Sequence, residues 1–300
     1  MKRTSIGGQA VIEGVMMRGK TIYAMAVRNP EGGITLEEKN CTGLSKKYKI
    51  FTFPIFRGMA AFVDSLVTGT KIMMRSAEIA GEAMMEEGEP SKFEKWIMDK
   101  FGDKVNDFII YFSVFISILL SVALFFMLPV WLGGFFKTVI PTWGLGVVEG
   151  LIRIGIFLAY IFAISKMKEI QRVFQYHGAE HKTINCFEKE LPLTVENVKT
   201  CTRLHKRCGT SFLLLVMIIS MVVLFFVQTD NIMLRFVSRI LLVPFIAGLS
   251  YEVIRWAGSS ESKLVAMVSY PGLCLQKITT QEPDGEQIET AIAAMKKCWK

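Results

Sequence analysis

The chain has 300 residues, 51% of them hydrophobic, with 22 Phe, 17 Met and a formal net charge of +8. Length alone would suit two soluble domains, but the long apolar runs in the middle of the chain exclude that class and read as membrane spans. The positive balance then belongs to membrane topology and anionic headgroups, so nucleic acid is not an expected partner.

Residues 1–53 read as a small cytoplasmic β-rich cap. No apolar core follows Met1, Lys2 and Arg3, so no cleaved signal peptide is expected and the first hundred or so residues stay on the synthesis side. From Gly7 to Gly19 a strand-like apolar core lies between glycine clusters, with Glu13 inside it. Tyr23–Arg28 and Ile34–Lys39 flank Asn29-Pro30-Glu31-Gly32-Gly33 as a β-hairpin. Gly7, Gly8 and Gly14 could cradle an anion through backbone amides. Without a following Lys-Ser/Thr and a matching helix, tight turns between strands are the better reading.

Residues 54–106 read as amphipathic interfacial helices. Phe56–Met85 lacks proline but carries Arg57, Asp64, Lys71, Arg75 and Glu78, too many charges for a span. An acidic break at Glu86–Pro90 precedes a second amphipathic helix, Lys92–Asn106.

Residues 107–257 predict a four-helix transmembrane bundle, with spans near Phe108–Leu128, Leu145–Ser165, Thr210–Val227 and Phe236–Ile254. The 166–209 connection carries nine basic residues, from Lys166 to Arg207, whereas the connection before it has only Lys137. The positive-inside rule then predicts a multi-pass protein of the cell membrane with both termini cytoplasmic. Glu149 and Arg153, at i and i+4 near the outer end of the second span, can pair and snorkel. Six cysteines on a chain whose soluble parts face the cytoplasm are expected as thiols or ligands.

Past Ser165 the helical pattern continues to about Cys186, and Gly178 alone argues against it, at about 1 kcal/mol. On this extension His177 and His181, two of only three histidines, stand one turn apart with Glu180 on a neighbouring line. His-x-x-Glu-His is the inverted zincin order, in which two neutral imidazoles hold Zn²⁺ and the carboxylate takes a proton from water. So short a pattern recurs by chance, and its weight comes from convergence. His205 and Cys208, at i and i+3, lie at the mouth of the third span on the same membrane face, and Glu252 ends the fourth span there. For Glu252 an ion pair to Arg255 competes evenly with a ligand role, and Cys186 and Cys201 lack such a partner. Residues 258–300 read as a cytoplasmic helical tail. It closes on Glu286–Trp299, whose Ile288, Ala291, Ile292 and Met295 stripe is expected to dock onto the bundle. The fold class is therefore mainly α: a polytopic membrane protein with four transmembrane helices, a small N-terminal β cap and amphipathic cytoplasmic helices.

Several stretches together carry a family resemblance. They are Gly7 to Gly19, Phe56-Arg57-Gly58, Tyr176-His177-Gly178-Ala179-Glu180-His181-Lys182, His205-Lys206-Arg207-Cys208-Gly209-Thr210-Ser211-Phe212, Tyr251-Glu252, Pro271-Gly272-Leu273 and Thr279-Thr280-Gln281-Glu282-Pro283. In that order, over nearly the whole chain, they resemble the YqhQ family of bacterial membrane proteins, a domain of unknown function described as predicted metal-dependent enzymes. The family pattern has a proline where Lys206 stands, a departure that leaves the candidate ligands intact. The resemblance implies metal dependence and supplies no substrate.

The expected function is a membrane-embedded metal-dependent enzyme, with zinc the expected metal, acting as a hydrolase on a membrane-associated peptide or lipid. His177 and His181 are the expected ligands, completed by His205, Cys208 or Glu252, with Glu180 as general base. Membrane lipids and a membrane-associated substrate or protein are the expected partners. The alternative is a non-catalytic scaffold or regulator whose His177, His181, His205 and Cys208 close a structural site, and the number of protein ligands separates the two. Three histidines do not furnish a histidine-rich di-iron oxygenase site. Pro244 and Gly248 in the fourth span are thin support for a transporter.

Overall fold

The computed structural model describes residues 4, 6–41, 43, 48–81, 105–206, 208–227, 229, 231–259 and 262–299. The expected break at 86–90 and all but the end of the expected helix at 92–106 lie outside them. The chain is mainly helical with a small antiparallel four-stranded sheet near the N-terminus. The strands are β1 (Gly7–Val11), β2 (Gly14–Arg18), β3 (Ile22–Arg28) and β4 (Ile34–Asn40), hydrogen-bonded in sequence order. The helices are α1 (Phe56–Ala80), α2 (Val105–Val122), α3 (Leu128–Gly134), α4 (Thr142–Ile164), α5 (Lys168–Glu188), α6 (Val195–Lys199), α7 (Gly209–Phe225), α8 (Ile232–Leu241), α9 (Val243–Ser259), α10 (Lys263–Thr279) and α11 (Gly285–Cys298).

The chain forms two compact units, residues 1–82, 158–220 and 242–300 in one and residues 83–157 and 221–241 in the other. The first is built on the sheet. Strand alternation sends Val15, Met17, Ala24 and Ala26 to one face, where they pack with Tyr176 and Ala179 of α5 and Ile288, Ala291 and Met295 of α11. Val11, Met16, Met25 and Val27 face the other way, onto Ile72 of α1. Both faces are covered at the centre of the sheet, and so β2 and β3 read as near-continuous apolar runs. The expected α11 stripe is buried, but against the sheet: Ile288 and Met295 are fully enclosed there, each worth about 1.5–3 kcal/mol. A capping box starts this helix, with Gln287 N–H donating to Asp284 Oδ1 at 2.8 Å and Asp284 N–H donating to Gln287 Oε1 at 3.0 Å.

Glu13 lies outside the strands. It occupies the β1–β2 turn with φ of 49°, and its carboxylate takes hydrogen bonds from Arg172 and, at 3.2 Å, from the Tyr176 hydroxyl. The turn is thereby tied to α5. The second span does not run unbroken into the histidine helix either. Helix α4 ends at Ile164, Met167 is extended with ψ of 133°, and α5 starts afresh at Lys168. Gly178 does not interrupt α5. A Cβ there would stand far inside van der Waals contact with the Gln281 carbonyl oxygen and 3.4 Å from Pro283 Cδ, so glycine is needed for close approach to the segment after α10.

Two stretches, Phe112–Gly134 and Gly144–Ile164, are long and apolar enough to cross a membrane, three if the broken pair Met233–Leu241 and Val243–Trp256 counts as one. The expected third span is the 17-residue α7, about 26 Å of rise against a hydrocarbon core of about 30 Å. In the second unit Glu149 is buried, and its ion pairs are with Arg235 at 3.1 Å and Arg239 at 2.7 Å on α8. The expected pairing with Arg153 gives way to these two. Arg153 Nε instead donates to the Phe125 carbonyl at 2.9 Å.

Candidate metal centre

Three elements of the first unit meet at α5. The amphipathic spacing of α5 turns His177 and His181 to one side, with ring centroids 4.4 Å apart. Cys208 comes from the residue just before α7, where the Thr210 N–H donates to its Sγ at 3.4 Å. One donor atom from each of His177, His181 and Cys208 lies within 4.8 Å of the other two, the one such three-ligand group among the described residues. His177 Nε2 is 3.1 Å from Cys208 Sγ.

The imidazole tautomers follow from their backbone partners. His177 Nδ1 is 2.8 Å from the Thr279 carbonyl and His181 Nδ1 is 2.6 Å from the Arg203 carbonyl. A carbonyl only accepts, so both Nδ1 atoms carry the proton and both Nε2 atoms present a lone pair. His181 Nε2 is buried with no hydrogen-bond partner. Burial holds the His181 imidazole below its ordinary pKa, which keeps that lone pair available. A buried, orphaned nitrogen beside a second imidazole and a thiol fits a divalent metal, and an N₂S set suits zinc. Nδ1–H bonds to carbonyls are the usual means of aiming a metal-binding imidazole.

The loop between α6 and α7 is fixed by contacts the sequence does not advertise. Asn185 Nδ2 donates to the Thr202 and Leu204 carbonyls at 2.7 and 3.2 Å, and the Arg203 guanidinium donates to the Thr280 carbonyl at 2.6 Å. Gln276, fully buried in α10, accepts from the His205 N–H at 2.8 Å and donates to the His205 carbonyl at 2.7 Å. These clamps set where Cys208 and the Arg203 carbonyl stand. No periodicity marks Asn185, Gln276 or the carbonyl of Thr279.

The remaining candidates divide. The Glu180 carboxyl is buried and its Oε2 has no hydrogen-bond partner. It packs on β1 where Gly8 leaves room, since a Cβ at Gly8 would lie 2.8 Å from Glu180 Cδ. Burial pushes its pKa up to about 7. That value suits a proton acceptor near neutrality. His205 is buried but turned aside, with Nε2 3.8 Å from Glu188, a carboxylate that also accepts from the Thr4 N–H and hydroxyl. Glu252 is bound by Arg57 through both oxygens, Nε donating at 2.6 Å, in place of Arg255. Cys186 and Cys201 lie in the apolar core under the sheet. A cavity of about 500 Å³ between β1 and α1, lined by Gly7, Gly8, Gln9, Thr68, Gly69 and Gly209, reaches the residue beside Cys208.

The chain is 38% identical over 294 residues to the uncharacterised protein YqhQ of Bacillus subtilis (strain 168), covering 95% of this chain and 89% of that protein. No solved structure matches it. A family model described as a protein of unknown function, DUF1385, matches residues 53–300, and the chain belongs to that family.

Proposed function

We propose that the protein is a membrane-embedded, zinc-dependent hydrolase whose site opens to the cytoplasmic face of a four-span bundle with both termini in the cytoplasm. The observation that carries the metal reading is the pair of Nδ1–H···O=C contacts, which leave two Nε2 lone pairs converging on Cys208 Sγ. His177, His181 and Cys208 are the three ligands. When bound, Zn²⁺ at such a set supplies Lewis acidity at an open fourth position and lowers the pKa of water there to about 7. Glu180 accepts the proton of the attacking water, a role favoured by its burial and by a pKa near 7. The cavity beside Gly8 and Gly209 provides approach for a membrane-associated peptide or lipid.

The non-catalytic alternative needs a fourth protein ligand. His205, the fourth ligand of that reading, has its ring centroid 5.6 Å from that of His181 and its Nε2 toward Glu188. Three ligands favour the open, catalytic reading. Metal analysis of the purified protein against His181→Ala tests it: about one equivalent of zinc is expected in the wild type and none in the variant. Equal metal content in both would end the proposal.

A further inference from the structure

The two edges of the sheet differ in kind. β4 carries Glu37, Glu38 and Lys39, with Glu37 held by Arg75 at 2.9 Å and Glu38 by Lys297 at 3.2 Å. Charge of that kind blunts an edge against a further strand. β1, by contrast, has no charge and no proline, and its Gly7 and Gly8 are exposed. The main chain on its outer side is open. The Arg28 N–H donates to the Glu13 carbonyl at 2.8 Å and the Gly19 N–H to the Ile22 carbonyl at 2.9 Å. These bonds at the two ends of β2 fix the alternation, so Gly14, Met16 and Arg18 turn their main-chain groups to β1 and meet Val11, Gln9 and Gly7. Gly8 and Ala10 therefore aim N–H and C=O away from β2, and among the described residues these groups have no hydrogen-bond partner.

That open row runs beside the proposed catalytic groups. A Cβ at Gly8 would lie 2.8 Å from both Cδ and Oε1 of Glu180, so the carboxyl sits against the Gly8 main chain. Gly209, which follows Cys208, lines the same cavity of about 500 Å³ as Gly7 and Gly8, a volume within the range of about 300–1,000 Å³ common to ligand sites. Gly7 has no local need to be glycine: a Cβ there would meet nothing within 4 Å, and its φ is not positive. Its missing side chain leaves the cavity open. Across the strand pair from Gly7 stands Arg18, half-buried in the cavity wall, whose guanidinium has neither hydrogen bond nor ion pair among the described residues. Strand alternation would send every second side chain of an added strand toward Arg18 and the others toward α5.

We propose that the substrate is an extended peptide segment that pairs with β1 as a fifth strand, hydrogen-bonded to Gly8 and Ala10, with an acidic side chain on Arg18. A polypeptide main chain offers N–H and C=O at the repeat of that edge and a lipid does not, which favours peptide as the substrate class. The chemistry rests on the hydrolase reading, and the binding rests on β1 alone. One water adds across the amide bond, leaving a carboxylic acid and an amine, and Glu180 passes the water's proton to the departing nitrogen.

A synthetic octapeptide library, with Glu fixed at one position and the others varied, tests the edge on the full-length protein in detergent, with zinc measured in the same sample. In zinc-loaded protein, mass spectrometry is expected to find cleaved peptides with Glu at a constant distance from the new terminus, and Arg18→Gln should erase that constancy. In chelator-treated protein, hydrogen exchange over residues 6–12 should slow when the library is added. N-methylation of single amides in the best-cleaved peptide should raise KM about tenfold at every second position and little between, since alternate amides face β1. Gly7→Leu should keep zinc and thermal midpoint and raise KM to a similar extent, with kcat little changed. Zinc-loaded protein that leaves the library intact, hydrolysis of phosphatidylglycerol in its place, or N-methyl effects without a period of two would overturn the inference. So would exchange at residues 6–12 that the library leaves unchanged, or that slows on concentrating the protein alone, which gives the edge to a second copy. Absence of zinc ends the hydrolase reading by itself, and the exchange measurement still decides the edge.

Discussion

Gly178→Ala pits two effects of opposite sign against each other in the middle of α5. Alanine improves helix propensity by about 1 kcal/mol, and on sequence grounds the substitution stabilises. In the structure the new Cβ meets the Gln281 carbonyl, lying 3.2 Å from its carbon and closer still to its oxygen. That oxygen cannot swing away as a side chain would, because the Gln281 N–H is held by the Phe174 carbonyl at 2.9 Å. The 279–283 segment must then shift by about 1 Å, an overpacking cost of about 3 kcal/mol at the upper end of the usual range. The net is a loss of about 2 kcal/mol, or a midpoint lower by about 3 °C for a chain of 300 residues. Thermal unfolding in detergent measures it. Thr279, whose carbonyl orients His177 at 2.8 Å, moves with the segment, so zinc retention under dilute chelator should fall as well. A variant that melts higher than wild type, or one that melts lower but holds zinc normally, would refute this account of the α5–α10 junction.

Glu180→Gln should keep one equivalent of zinc and lose whatever activity or complementation the wild type supports; a fully functional variant would sink the hydrolase. In metal-free protein the Glu180 carboxyl, at about 7 folded against 4.5 unfolded, makes stability full below about pH 4.5 and progressively lost up to about pH 7. The loss approaches about 3 kcal/mol, and Glu180→Gln should flatten that part of the curve. Cys208→Ser should shed zinc while Cys186→Ser and Cys201→Ser retain it. Burial beside Cys201 pushes the Cys186 thiol up to about 11, so alkylation of the folded protein at pH 8 should spare it. Glu252→Gln should keep zinc yet lower stability by roughly 1–3 kcal/mol, since Arg57 loses a bidentate partner that is only partly exposed. Reporter fusions at residues 140 and 190 should read outside and inside respectively; export of the 190 fusion would remove the cytoplasmic site.

The sheet, the amphipathic α1 and α11, and the helix bearing His177 and His181 were legible because each rests on local periodicity. Cys208 was legible from its spacing to His205, yet the two separate: Cys208 joins the cluster while His205 turns to Glu188. That choice depends on Gln276, which grips the His205 backbone from 71 residues away, a distance no local pattern spans. Glu252 finds Arg57 across 195 residues of chain in place of Arg255 three positions on. The arginines facing Glu149 were hidden for the same reason: Arg153 stood at the expected spacing, and Arg235 and Arg239 come from 86 and 90 residues further along.

Both imidazole nitrogens that face backbone are held by oxygens made later in synthesis, and the one holding His177 comes 102 residues after it. A ribosome that has passed Cys208 has delivered every proposed ligand and the Arg203 carbonyl that holds His181, but not Thr279, so the nascent chain lacks the tautomer control of His177. Metal captured at that stage would meet a His177 imidazole with no carbonyl to orient it, a weaker and less selective binder. Completion of α10 and α11 thus sets the moment at which the site can first discriminate among ions. Truncation just before Thr279 would leave a chain with all its ligands and little selectivity.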